Sequence, residues 1–210
     1  AMSILHDMGS AAFTTSMDLW FYGMLRMMDL TLRHGLAPQT PGAYGLYGML
    51  LGPGAGLHKA AARWAAVSLR ISEALADKLH RGKVRMQTAA LLQHWHAPAR
   101  DNLPLLRRAI RDSLDSGDFT FAGYAHIHQV GTAFAIGRPL GEIAANAVEQ
   151  LEFARRIGHD DSAWFFVNAL RMHGWMGGPQ AAVEDPYLAL DEAQYEARLG
   201  FKIGYSDLLV

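Results

Sequence analysis

The chain has 210 residues, half of them hydrophobic, which is enough to bury a sizeable core and excludes a disordered polymer. Nineteen lysines and arginines against twenty aspartates and glutamates leave a net charge of −1, so no long-range field favours nucleic acid or an anionic membrane. Cysteine is absent, which removes disulfides, thiolate metal sites and cysteine nucleophiles together and fits a reducing, cytoplasmic compartment.

Ala1-Met2 reads as a cloning remnant, and residues 1–10 read as a lead-in that lacks the pattern of a signal peptide. Helical spacing of apolar residues dominates from there on, and strand-like alternation nowhere lasts more than a few positions, so the expected class is all-α. The predicted helices run over 11–34, 40–51, 57–79, 82–96, 103–116, 119–136, 140–157 and 161–176, with one more short helix over 191–199. The longest apolar stretches, around 60–69 and 86–92, are interrupted by Arg63 and Gln87 and fall short of the roughly 20 residues a membrane span needs. No membrane insertion is expected.

Gly35, Gly117, Gly137 and Gly158 stand where helices should stop. Asp118 and Asp160 are expected to cap the helices that follow, and Pro41, Pro104 and Pro139 sit near helix starts. Connections this short force neighbouring helices into antiparallel hairpins. Ala43-Tyr44-Gly45-Leu46-Tyr47-Gly48 has a weak counterpart in Ala122-Gly123-Tyr124-Ala125, each followed by a glycine-bearing loop and an alanine-rich helix. The offset of about 80 residues equals two hairpins of about 40, the expectation for a helical repeat domain over 11–176. Gly177-Gly178-Pro179 breaks the pattern, Glu184-Asp185-Pro186 makes a polar turn, and 177–210 reads as a C-terminal extension that begins a further repeat. The apolar end Leu208-Leu209-Val210 reads as a cut through a longer chain.

The ten histidines are the first place to look for chemistry. His94 and His96, and likewise His126 and His128, are spaced i and i+2, which on a helix places the two rings on opposite sides, so neither pair can chelate by itself. One histidine of each pair could meet across two helices, with Asp160 or Glu149 nearby. His34 and His96 sit at helix C-termini, where a cation is favoured. The glycine-rich run 51–59 ends in Lys59, yet it follows a helix and has no Ser or Thr after the lysine, so it is a connection and not a phosphate loop. No Gly-x-Ser-x-Gly elbow and no Glu-x-x-His pair is present. Asp160-Asp161 and Asp191-Glu192 read as helix-start acids, while Arg107-Arg108 with Arg111 and Arg155-Arg156 read as solvated faces. No catalytic, cofactor-binding or metal-ligating residue is assigned.

Most aromatic residues, including Trp20, Phe21, Tyr22 and Trp64, should be core. Trp164-Phe165-Phe166 cannot all face one side of a helix, so at least one ring belongs to a seam, groove or partner surface. The residues nominated for an interaction surface or pocket are Tyr44, Trp95, Tyr124, His126, Trp164 and Phe165. The methionines between Met17 and Met28 would give an adaptable apolar face or a plain core.

Taken in order, His34-Gly35, Ala43 to Gly48, Ala66-Val67-Ser68-Leu69, His94-Trp95, Ser116-Gly117-Asp118 with Tyr124-Ala125, and Gly137-Arg138-Pro139-Leu140 resemble the helical-repeat region of very large multidomain signalling kinases. In that family a serine/threonine-kinase-like domain and an AAA/STAND-type ATPase precede the repeats, and a GAF sensor and a histidine kinase often follow. The resemblance spans roughly residues 20–176. It implies a tetratricopeptide-like (TPR-like) α-solenoid with a relay or scaffolding role, and it carries over no catalytic residue.

The expected function is therefore a non-catalytic protein-interaction and signal-relay module within a larger ATPase or sensor kinase. Its partners would be another protein or adjacent domains of the same chain, with homodimerisation through exposed stack ends as a further expectation. Two other classes remain open on sequence alone. One is a small-molecule sensor with a pocket between helices around Trp95, Tyr124 and His126, and the other is a metal-dependent helical-bundle enzyme.

Overall fold

A computed structural model describes residues 1–176 and 186–199. The described residues contain ten α-helices and no strand: α1 (Met2–Thr15), α2 (Met17–His34), α3 (Thr40–Met49), α4 (His58–Leu75), α5 (Lys78–Gln87), α6 (Asn102–Ser116), α7 (Phe119–Ala135), α8 (Leu140–Arg156), α9 (Asp160–Trp175) and α10 (Glu192–Leu199). The chain divides into two compact units, Ala1–Thr132 and Ala133–Val210. The expected break at Gly177-Gly178-Pro179, the turn residues Glu184-Asp185 and the segment 200–210 lie outside the described residues.

In the first unit, α1 pairs with α2, α3 with α4, and α5 with α6. The predicted helix 11–34 is in fact two helices. Ser16 is extended (φ −156°, ψ 105°), and its Oγ accepts the Leu19 N–H at 3.3 Å, so it caps α2 instead of continuing α1. Residues 2–10, read from sequence as a lead-in, belong to α1. α3 runs on into a wider π-turn over Leu50–Gly54, which holds Pro53, and α5 likewise opens into a π-turn over Thr88–Leu92 before a 3₁₀ turn at Gln93–Trp95. The glycine-rich connection is thus partly helical and closely packed: a Cβ at Gly52 would fall 2.9 Å from that of Ala61.

The core of this unit begins with Trp20, Met24, Met27 and Met28 of α2 against Ala12, Ala43, Tyr44 and Leu46. Three of the four methionines between Met17 and Met28 are therefore core, and Met17 alone is exposed. A second cluster joins Met86 and Ala89 to Leu106, Ala109 and Ile110 of α6 and Ala125 of α7. Arg85 is held between Asp112 and, at 3.9 Å, Glu73, which ties α4, α5 and α6 together.

The second unit is built on the α8–α9 hairpin. Ile143, Ala147, Leu151 and Ala154 are buried on α8, and Ala163, Phe166, Val167 and Leu170 on α9. Arg171 donates to the Leu190 carbonyl at 2.9 Å and lies 4.0 Å from the Tyr195 ring centre, while the Tyr195 hydroxyl donates to Asn168. These contacts seat α10 against α9. The cap expected from Asp160 comes one residue earlier, because His159 Nδ1 accepts the Ser162 N–H at 3.2 Å and Asp160 occupies the first turn.

Candidate functional site

The six nominated residues occupy separate places. Tyr44 is buried in the α3–α4 core, edge-on to Trp64 at 5.0 Å, so it presents no surface to a partner. Trp95 is half exposed on its 3₁₀ turn and stacks on His58, with ring centres 4.6 Å apart and an interplanar angle of 10°. Tyr124 packs against Phe121 on α7, and His126 is half-buried on the same helix. Trp164 lies in the second unit, 4.5 Å from the Tyr187 ring, and Phe165 meets Phe166 edge-on at 5.5 Å. Of the Trp-Phe-Phe run, Phe166 is the fully buried member.

The two close histidine pairs lie on separate elements, His94 on the 3₁₀ turn and His126 and His128 on α7. Burial, and secondarily the charge of His94, push His128 down to about 4. Burial alone takes His126 to about 4. Among the described residues, no three histidine, aspartate or glutamate side chains are placed to hold a metal ion together.

Two arrangements outside the nominated set carry more chemistry. The first is the outer face of α2. Tyr22, Leu25 and Leu32 share one side of the helix at i, i+3 and i+10 and are 60%, 49% and 76% exposed. Arg26 and Arg33 both pair with Asp29 beside them, the latter through Nε at 2.6 Å, so an apolar stripe is bordered by a surface ion network.

The second arrangement is a buried polar cluster where α1 and α5 meet beside α3. Asp77 caps α5 by accepting the Leu79 and His80 N–H groups at 3.2 and 3.1 Å, and it also holds His80 Nδ1 at 2.5 Å. His80, Lys83 and Gln87 then share one face of α5 at i, i+3 and i+7. His6 enters from α1 with its ring edge-on to His80, centres 4.7 Å apart, and its Nδ1 lies 3.1 Å from Asp7 Oδ1. Gly42 of α3 faces this group without a side chain. A Cβ there would stand 3.7 Å from His6 Nε2 and 3.9 Å from Gln87 Oε1, in ordinary contact.

Lys83 Nζ lies 4.5 Å from the Phe121 ring centre, and Gln87 Oε1 is buried without a hydrogen-bond partner. His6, Lys83 and Gln87 are each more than nine-tenths buried. Burial first, and then the neighbouring Lys83 charge, pull His6 down to about 4 against the opposing pull of Asp7. Burial likewise lowers Lys83 to about 8, opposed by Asp118 and Asp7. At neutral pH burial therefore keeps His6 a neutral imidazole near the Lys83 ammonium.

Comparison with protein-family models, with curated proteins and with solved structures found no match for this chain.

Proposed function

We propose that the chain is a non-catalytic interaction and signal-relay module, a TPR-like stack of helical hairpins that serves a larger ATPase or sensor kinase. The observation that carries the reading is the exposed Tyr22-Leu25-Leu32 stripe on α2. Burying three large apolar side chains against a partner would contribute about 1.5–3 kcal/mol each before the costs of association. The bordering Arg26-Asp29-Arg33 network would supply orientation more than affinity. Two further points favour this reading. α1–α2, α3–α4, α5–α6 and α8–α9 each pair closely, as relay arrays built from hairpins require, and the ordered motifs from His34 to Leu140 resemble the helical region of multidomain signalling kinases. No helix among the described residues is long and apolar enough to cross a membrane.

The test compares the native chain with the double variant Leu25→Glu and Leu32→Glu. Partners are captured and identified, and the leading one is purified and titrated against both forms. A saturable complex that weakens at least tenfold in the double variant, with the circular dichroism spectrum and Tm unchanged, is the expected result. A partner that binds both forms equally would move the docking surface away from α2, and the absence of any saturable partner would overturn the module itself.

A further inference from the structure

The contact between α1 and the rest of the first unit combines three features. His6 is the polar residue that α1 places in the buried cluster, packed on His80 and close to Lys83. Elsewhere α1 covers a small apolar pocket lined by Leu5, Ala12, Trp20, Met24, Met27 and Leu46. α1 is joined to α2 through the single extended residue Ser16. α1 thus combines one buried polar anchor, an apolar seam against α2 and a single-residue connection.

We propose that α1 is an acid-released latch: neutral His6 seats it against His80 and Lys83 of α5, and protonation of His6 frees it to swing about Ser16. The charges around His6 decide the direction. α5 contributes His80 and the Lys83 cation, and the turn before α5 contributes Asp77, already engaged by His80. The start of α7 contributes Asp118, which acts on Lys83, and α1 itself contributes Asp7, largely exposed. α2 faces α1 with Leu19, Trp20, Met24 and Met27, and α3 faces His6 with Gly42. A proton added to His6 therefore arrives in a buried place beside an existing cation, with one exposed carboxylate to answer it. Undocking returns His6 to water and uncovers Trp20, Met24 and Met27.

The sign follows from linkage. His6 titrates at about 4 when docked and near 6.5 when free, so the open form binds more protons and gains on the closed form as pH falls below 6.5. Those two values raise the opening equilibrium by about twenty-fold between pH 7 and pH 5. Removing the Lys83 cation lets His6 titrate closer to its ordinary value and so weakens the response. The latch stands whether or not the α2 face docks a partner, because its readout involves no partner.

The experiment is segment-resolved hydrogen exchange on the full chain from pH 7.5 to 4.5, corrected for intrinsic exchange, alongside His6→Gln and Lys83→Met. The expected result is a rise of about twenty-fold in α1 opening in the native chain between pH 7 and 5, no such rise in His6→Gln, and a smaller rise in Lys83→Met. Protection of α1 that ignores pH in the native chain, or the same response in His6→Gln, overturns the proposal. Should His6→Gln fail to fold, Lys83→Met decides instead: a smaller pH response of α1 than in the native chain upholds the latch, and an equal response overturns it.

Discussion

At the scale of single residues, Ala76 carries the clearest local strain. It ends α4 with φ 51° and ψ 22°, the left-handed conformation, and is the one non-glycine residue at positive φ among those described. A Cβ in that region costs roughly 1 kcal/mol, and Ala76 is exposed, so nothing packs around its methyl to compensate. Ala76→Gly should stabilise the chain by about 0.5 kcal/mol once the extra freedom of glycine in the unfolded state is subtracted, and Ala76→Val should destabilise it by 1 kcal/mol or more. Urea midpoints at constant m-value would check both, and an Ala76→Gly midpoint below that of the native chain would contradict the argument. Stops at Gly117 and Gly137 were legible in the sequence because glycine announces a left-handed stop, and both have positive φ. Alanine announces nothing, so the α4 stop was invisible. Asp160 misled for a related reason: Asp is the commoner cap, yet His159 Nδ1 reaches the free Ser162 N–H first.

At the scale of elements, what periodicity sees and what it misses become distinct. Apolar spacing found the helices from 103 to 176 to within a residue or two, because long amphipathic runs ended by glycine are the strongest pattern a sequence offers. It missed the break at Ser16, because the apolar stripe continues across it and only the side-chain cap of Leu19 marks it. It also missed the cluster of His6, His80, Lys83 and Gln87. His6 lay in the supposed lead-in, and polar residues spaced i, i+3 and i+7 on α5 look like a solvated face until α1 covers them. Packing between elements makes its own demand at Gly82, where α5 crosses α6. A Cβ there would fall 2.1 Å from Ser113 Oγ, 2.7 Å from Ser113 N and 3.0 Å from the Ala109 carbonyl oxygen. Backbone cannot rotate away as a side chain can, so Gly82→Ala should force the α5–α6 pair apart at a cost of about 2–3 kcal/mol. Gly23 makes the control. It lies inside α2 with nothing within 4 Å of its missing Cβ, so Gly23→Ala should gain up to about 1 kcal/mol from helix propensity. Equal Tm values for the two variants would show that the close crossing at Gly82 does not constrain the fold.

At the scale of the whole molecule, the first unit carries a titration of its own. The three histidines held at about 4, His6, His126 and His128, all lie within Ala1–Thr132. Each is kept neutral mainly by burial, so each binds a proton more readily in the unfolded chain. Stability is then fully present above about pH 6.5 and is lost as pH falls from there toward 4. A displacement of this size is worth up to about 3 kcal/mol per histidine once pH reaches the folded value, and partial exposure of His126 and His128 reduces their share. Against a domain stability on the order of 5–15 kcal/mol, even half that sum would make the first unit marginal near pH 5. Urea unfolding followed by hydrogen exchange at pH 7.5 and pH 5 should therefore show residues 1–132 losing a few kcal/mol, with α1 opening first and the remainder later. In the chain carrying His126→Gln and His128→Gln, the early α1 step should persist while the later loss shrinks, because the latch depends on His6 and the global loss on all three. Identical unfolding of residues 1–132 at the two pH values would mean that these rings already reach water in the folded state, and that burial does not govern their protonation.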